Sequence, residues 1–535
     1  MKSIKKFLAL ILSMTLMLTL GTAAFGAQKT LPSGKDTGSI NVTNLKPGDT
    51  VTAYQFVKAD YNEYGFTGYS AINNYVKDPV APTAQEVIDM ASNAATMTVA
   101  AEKKVATGDT EVTLNGLPVG YYLVMVTSGS ETVYSPMIAG IYYSKSATDN
   151  TLTNGAISAD SDFEIKAQKC WAKSSTPKLE KTIVTPSSKN SKGDDIAIGD
   201  KITFNLSATV PSYSKEYKKV TYKIYDIMSE GLDYVDGSMK CFIEKYENNR
   251  ENIKVTPKVN GGIIEITFDS KFILEHPGQK IQVEYQAKLN EKAGVNFDAN
   301  INKAYLEYSN NPASGSTAKT GEDKVYVYTF GIDSNLFGKS TEKWNGKTKE
   351  LIKVEEGEYQ WVETEKESGI FTTTTALEGA TFTLTNNKTK KSYTATSDKY
   401  GYLKFTGLDA GEYTLQETDA PDGFTLNDAK HTVVITAEYN QDGNLKSYTI
   451  KIDDKATSTY TATYDKGVIK TITSTKDSQG NISESAILKN SKMSFLPSTG
   501  GVGTTIFAIV CVVFVAAALG LHMILRGKSK LEQDR

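Results

Sequence analysis

Histidine is scarce in this 535-residue chain: His276, His431 and His522 are its complete set. A Ser-His-Asp hydrolase site or a His-rich zinc site has almost nothing to be built from. His276 before Pro277 reads as a turn residue, and His431 heads the strand-like stretch His431–Thr436. Of the three cysteines, Cys511 falls in an apolar stretch near the end, and Cys170 and Cys241 read as buried thiols, not a disulfide framework. No metal and no cofactor is expected. The reactive groups left are lysine amines, side-chain amides, carboxyls, and the peptide bond inside Leu496-Pro497-Ser498-Thr499-Gly500. From Gly500 to Arg526 there is no Asp, Glu, Lys or Arg. Such a stretch is long enough to cross a bilayer core of ~30 Å as a helix. The basic cluster Arg526-Gly527-Lys528-Ser529-Lys530 after it belongs on the cytoplasmic side.

The other end complements this. Lys2, Lys5 and Lys6 form a positive n-region, Phe7 to Leu20 an apolar h-region, and the small residues around Ala24 and Gly26 offer cleavage sites. Residues 1–27 are therefore expected to be a signal peptide, and the protein to work outside the cell. Removing residues 1–27 takes away three Lys, and removing 500–535 takes away four Lys or Arg and two acids; 52 basic and 60 acidic side chains remain, a net of −8. That balance argues against nucleic acid as a partner. About 470 residues suggests three domains or so at ~100–200 residues each. Thirty Tyr and forty-one Gly, with many Thr and Val, favour strands and turns.

The elements that must position any chemistry follow from the patterning. Residues 28–172 open on alternating Ile40, Val42 and Val51, Ala53, with one helix near Pro82 to Met97. There Thr83 can cap and Glu86 answer from the third helical position. Gly120–Val126 returns to strand. Ser174–Pro177 reads as a breaker. Ile202, Phe204, Leu206, Ala208 and Val210 then alternate with polar residues, the period-two signature of a half-buried strand. Further strands are expected at Val220–Tyr225, Gly262–Phe268, Ile281–Leu289 and Ala304–Tyr308, as in a β-sandwich. Asn310–Ser316 reads as a second linker and residues 340–372 as a polar surface insertion. Later strands are expected at Ala380–Leu384, Tyr402–Phe405, Gly411–Glu417 and Tyr448–Ile452. The fold class is mainly β, with three tandem domains at 28–172, 173–318 and 319–495 between the signal peptide and a terminal segment at 496–535.

The order of Leu-Pro-x-Thr-Gly, apolar helix and basic tail resembles the cell-wall sorting signal of Gram-positive surface proteins, which a sortase cleaves between Thr and Gly. Gly401–Leu408 and Gly411-Glu412-Tyr413-Thr414-Leu415-Gln416-Glu417-Thr418-Asp419-Ala420-Pro421 resemble collagen-adhesin B-type domains. Tyr225-Asp226-Ile227-Met228-Ser229-Glu230-Gly231-Leu232 and Asn302-Lys303-Ala304-Tyr305-Leu306-Glu307-Tyr308 resemble the isopeptide-forming second domain of fimbrial major subunits. Together these resemble the sortase-assembled backbone pilins of Gram-positive bacteria, and the likeness covers essentially the whole chain.

The resemblance implies an Ig-like, collagen-adhesin B-type sandwich architecture and a structural role without an external substrate. It implies a pilus-specific sortase, identical subunits, minor pilins and peptidoglycan as partners. A wall-anchored minor pilin or monomeric adhesin is the alternative. It places the polymerising lysine in Cys170-Trp171-Ala172-Lys173-Ser174, with Lys173 favoured and Lys166, Lys169 and Lys178 as rivals; Lys173 would be joined to Thr499 of a neighbour. It also implies internal Lys–Asn amides: Lys181 with Asn302 beside Asp226 in the middle domain, and Asn490 beside Glu417 in the last. There Leu336 falls near the register expected for the lysine, and Lys339 is the nearest candidate. The physical basis is desolvation. Burying a lysine, an amide and a carboxyl together favours a neutral amine and a neutral acid, and the acid can then polarise the amide and move the proton as ammonia leaves.

Overall fold

A computed structural model describes residues 31–128, 131–145, 156–157, 163–184, 186–187, 190–245, 249–332, 352–355, 361–365, 370–373, 375–453, 456–474, 487–493 and 519–520. It is mainly β and built from successive packed-sheet units. The expected signal peptide and the Leu496–Gly500 motif lie outside the described residues. Among the described residues, no helix is long and apolar enough to cross a membrane.

The first unit packs a small sheet on a larger one. In the small sheet β1 (Thr37–Thr43) lies between β3 (Glu111–Pro118) and β7 (Lys169–Trp171). The larger sheet includes β2 (Thr50–Asn62), β4 (Gly120–Thr127) and β6 (Met137–Ser144). Ile40 and Val42 from β1 meet Tyr122 and Val124 from β4 in the core between them. Helix α1 (Ala84–Ser92) carries the expected capping box, with Thr83 and Glu86 satisfying each other's backbone N–H groups. Its inner face buries Val87, Ile88, Met90 and Ala91. The expected breaker at Ser174–Pro177 opens on a short strand, β8 (Ser174–Ser175), paired with β5 (Val133–Tyr134).

The middle unit is a two-sheet sandwich. One sheet runs through β9 (Leu179–Ile183), β11 (Lys201–Thr209) and β13 (Lys280–Leu289). The other contains β10 (Gly193–Asp195), β12 (Tyr222–Met228), β14 (Asn300–Asn311), β15 (Ser316–Lys319) and β16 (Asp323–Tyr328). The alternation at Ile202 to Val210 sends Ile202, Phe204, Leu206 and Ala208 inward as expected. The reading of Asn310–Ser316 as a linker is corrected. It is the hairpin turn between β14 and β15, and β16 then pairs back onto β14 within the same sheet. Pro, Gly, Asn and Ser serve a tight turn as well as a tether, so composition could not separate the two.

The third unit begins at β17 (Phe330–Ile332), which pairs with β20 (Phe405–Leu408). Its main sheet includes β19 (Thr381–Asn386), β21 (Gly411–Asp419), β22 (Lys430–Tyr439) and β23 (Leu445–Ile452). Part of the stretch at 340–372 lies outside the described residues, and the surface-insertion reading is corrected only for residues 352–355. Strand β18 (Ile352–Glu355) pairs in parallel with the late strand β24 (Ile487–Asn490), a long-range pairing no local pattern encodes.

The middle and third units meet at a polar joint. The Tyr439 hydroxyl donates to Asp195 Oδ2 at 2.6 Å, and the Ala410 N–H donates to Asp195 Oδ1. A Cβ placed on Gly193 would come 2.2 Å from the Gly443 carbonyl oxygen, so glycine is required there for the two backbones to touch. Burial lifts the Asp195 carboxyl to about 6, against the pull of the Tyr439 and Ala410 donors; Asp194 and Asp409 push it further up. Between its ordinary 3.8 and about 6 the folded chain therefore holds this proton more tightly than the unfolded chain. Its contribution to stability falls as pH rises through that window and stays low above it. Tyr439→Phe removes a donor to a charged acceptor near neutrality but to a neutral one in acid. The stability lost in denaturant titrations should be greater at about pH 7.5 than at about pH 4, by about 1 kcal/mol. Equal losses at both would show that Asp195 does not titrate in the joint.

Candidate functional site: a lysine, an acid and an amide sealed between two sheets

The middle-unit residues singled out in the sequence come together. Lys181, Asp226 and Asn302 each have 0% exposure. Lys181 stands on β9 in one sheet, and Asp226 and Asn302 on β12 and β14 in the other, so the cluster bridges the sandwich. The register explains why. Asp226 lies opposite Ala304 and Met228 opposite Asn302, which makes Asp226 and Asn302 diagonal neighbours on one face. Across the gap Lys181 lies opposite Leu206 and Tyr285 opposite Phe204, on the inward face of the first sheet.

Lys181 Nζ is in direct contact with Asp226 Oδ2 and lies 3.0 Å from the Tyr285 hydroxyl. That hydroxyl donates to Asp226 Oδ1 at 2.7 Å and accepts from Asn302 Nδ2 at 2.7 Å. Phe204 and Tyr285 present their rings 5.0 and 5.2 Å from the ammonium position. Desolvation dominates both titrations: it pushes the Lys181 amine down and the Asp226 carboxyl up, although each charge partly supports the other. Both shifts favour a neutral amine beside a neutral acid, the pairing from which a lysine can attack an amide. The backbone of Lys181 is pinned as well. Its N–H donates to Asp323 Oδ2 at 2.7 Å, and its carbonyl accepts from Lys192 Nζ at 2.6 Å.

Sequence reasoning missed Tyr285. A signal was present: in Ile281, Val283, Tyr285, Ala287, Leu289 it is the one inward-facing residue of the strand with a polar tip. A buried hydroxyl needs partners.

In the third unit Glu417 and Asn490 are both 2% exposed and adjacent. Asn490 Nδ2 donates to Glu417 Oε2 at 2.9 Å and to the Thr425 carbonyl at 2.7 Å; the Asn427 N–H donates to the same carboxylate oxygen at 2.8 Å. Lys339 and Leu336 lie outside the described residues. The strand that pairs with β24 carries another lysine at position 353, opposite Leu488 and two residues before the Glu355–Asn490 pair.

Lys173 is exposed, between β7 and β8, with its carbonyl accepting from the Ser135 N–H at 3.0 Å. Both flanks are held in sheets while the side chain is open to solvent. Lys169 and Lys178 are also exposed, whereas Lys166 is half-buried beside Glu164 at 3.1 Å. Cys170 and Cys241 are buried free thiols, each pushed up to about 12 by burial.

Known proteins share this architecture. Residues 35–174 match the model of the T6 antigen Ig-like domain, and residues 371–450 that of the SpaA prealbumin-like fold domain. The chain is 26% identical to the trypsin-resistant surface T6 protein of Streptococcus pyogenes serotype M6, across 93% of its own length and 96% of the relative's. The solved T6 backbone pilin of that serotype, described as a modular three-domain structure decorated with variable loops and extensions, superposes with a TM-score of 0.58 at 21% identity. That match covers 86% of this chain and 100% of the other. The chain is thus similar in sequence to the T6 surface protein and in fold to a solved Gram-positive backbone pilin. The full-length major pilin SpaD from Corynebacterium diphtheriae also aligns, with a TM-score of 0.46 at 16% identity over 87% of this chain and 99% of that one.

The Glu417–Asn490 pair has a measurable consequence. Asn490→Ala removes the side-chain donor of the Thr425 carbonyl and leaves Glu417 Oε2 with the Asn427 N–H, a loss of about 1–3 kcal/mol for the carbonyl so stranded. Thermal or denaturant unfolding should register that loss. An unchanged midpoint would mean that the amide carries no structural weight.

Proposed function

We propose that this protein is the backbone subunit of a covalently polymerised cell-surface pilus. Thr499 of one subunit is joined by a pilus-specific sortase to Lys173 of the next, and the finished polymer is anchored to peptidoglycan, with minor pilins as further partners. The working chain is a first domain at 28–172, a middle domain from 173 and a third domain ending near 495. The observation that carries this reading is the fully enclosed Lys181–Asp226–Asn302 cluster between the two sheets of the middle unit. Three reactive groups sealed from water cost stability unless they are used.

In this reading Lys181 attacks the Asn302 carboxamide once folding has set the geometry, and no other enzyme is required for that step. The lysine nitrogen bonds to the amide carbon, the carbon–nitrogen bond to Nδ2 breaks, and ammonia leaves. By analogy with disulfides, a cross-link closing a loop of about 120 residues stabilises by about 5 kcal/mol. Tension enters at Lys173 and leaves at Thr499, so it passes through the middle and third units, while the first unit hangs to the side. The third unit forms the equivalent amide at Asn490, with Glu417 as its acid and Lys339 as its lysine, in competition with Lys353.

Intact mass of the mature chain should fall short of the sequence value by about 17 Da for each amide formed. Peptide mapping should join Lys181 to Asn302, and Asn490 to one of the two named lysines. A full, unshifted mass would remove the internal cross-links from this reading. Polymerisation is tested separately: boiled wall extracts should give a high-mass ladder that collapses to monomer in Lys173→Ala. A single band in both strains would favour a monomeric wall-anchored adhesin, and a ladder persisting in the variant would move the linkage to Lys169 or Lys178.

A further inference from the structure

One group in the sealed cluster is assigned no part in the chemistry above. The Tyr285 hydroxyl oxygen lies within hydrogen-bond distance of both the attacking nitrogen, Lys181 Nζ at 3.0 Å, and the leaving nitrogen, Asn302 Nδ2 at 2.7 Å. Asp226 contacts the attacking nitrogen through Oδ2 and the Tyr285 hydroxyl through Oδ1, while the one hydrogen bond of the Asn302 side chain among the described residues runs to Tyr285. The acid therefore reaches the amide nitrogen through the phenol. Asn302 Oδ1, the atom that turns into an oxyanion during attack, is buried without a hydrogen-bond partner among the described residues. The polar groups of the cluster thus converge on the two nitrogens, where protons must be exchanged.

We propose that Tyr285 is a catalytic residue of Lys181–Asn302 amide formation, relaying a proton from Asp226 to the departing nitrogen. The proposal rests on the Lys181–Asn302 amide forming at all. After the lysine nitrogen has bonded to the Asn302 carbon, it carries one proton too many and gives it to Asp226 Oδ2. As the leaving nitrogen becomes basic, the phenol hydrogen turns from Asp226 Oδ1 to Asn302 Nδ2. The neutral Asp226, with its own proton on Oδ1, releases that proton to the tyrosine oxygen. Tyr285 passes its own proton to Asn302 Nδ2, the carbon–nitrogen bond breaks, the carbonyl re-forms, and ammonia leaves. Acid and phenol both end as they began, so one turnover needs no added reactant. The fit of a phenol to this task is physical: burial and the neighbouring Asp226 hold Tyr285 far above its ordinary titration range, so its proton is retained until the leaving nitrogen becomes basic enough to take it.

The test uses the mature full chain made by cell-free synthesis, with aliquots quenched in acidic denaturant and weighed intact. Wild type must first lose about 17 Da with Lys181 mapped to Asn302; if it does not, the amide reading itself fails, independently of Tyr285. Given that loss, Tyr285→Phe should form the amide about 100-fold more slowly or not at all, the scale of a single positioned proton-transfer group. A Tyr285→Phe chain that folds and cross-links within about 3-fold of the wild-type rate overturns the proposal. Folding is read by the near-ultraviolet circular dichroism of the quench-free sample. Should Tyr285→Phe fail to fold, 3,5-difluorotyrosine at position 285 keeps the shape and raises the acidity of the phenol. The rate of mass loss should then change several-fold and its pH profile should move towards acid. A rate and profile equal to wild type would assign Tyr285 to packing alone.

Discussion

The enclosure of Lys181 governs the middle unit. A lysine side chain with 0% exposure is among the most costly groups a protein can bury, and its neighbours are arranged around that cost. Asp226 meets the nitrogen directly, the rings of Phe204 and Tyr285 face it, and Tyr285 ties acid and amide together. Outside the core, Asp323 and Lys192 occupy the backbone N–H and carbonyl of the same residue, so the edge strand cannot slide without breaking them. A one-residue slip of β9 would turn Lys181 to solvent and Glu180 inward. Register and chemistry are therefore the same constraint.

The cluster also sets how the two sheets hold each other. Two of its members come from each sheet, so every hydrogen bond of Tyr285 to Asp226 or Asn302 is an intersheet bond. In most sandwiches that gap is closed by apolar interdigitation alone. Here Phe204, Leu206, Ile224 and Val283 supply the apolar part, and the polar cluster adds directional contacts within the same core. The joint to the third unit follows a similar logic on a smaller scale. Asp195, on a short strand of the second sheet, accepts from Tyr439 and Ala410 of the next unit, while Lys391 donates to the Ile198 carbonyl and to Asp200. Directional bonds, the buried Asp195 acceptor among them, constrain how neighbouring units meet in a way that a purely apolar contact does not.

The third unit repeats the pairing of an acid and an asparagine with different surroundings. Glu417 accepts hydrogen bonds from the Asn490 side chain and the Asn427 backbone, whereas Asp226 is held by Lys181 and the Tyr285 hydroxyl. The two sites share a buried acid beside an asparagine but differ in how the acid is held. The first unit is built on aromatic packing, as in the Phe66, Tyr69 and Tyr143 contacts.

Much of this was legible in the chain, because strand alternation is a local property. The inward set Ile202, Phe204, Leu206 and Ala208, the capped helix at Ala84–Ser92, and the candidates Lys181, Asp226 and Asn302 could be read from residue order and motif. The long-range contacts could not. Composition made Asn310–Ser316 a tether, whereas pairing of β15 and β16 onto β14 makes it a turn. The polar stretch before Thr375 hid β18, whose partner β24 lies more than a hundred residues on. Tyr285 looked like one strand tyrosine among thirty until register set it opposite Phe204 and facing Asp226. Sequence alone determined which residues could form strands and which side chains could react. Tertiary structure decided which of them share one water-free space, because that depends on the pairing of strands distant in the chain and on the burial this pairing creates.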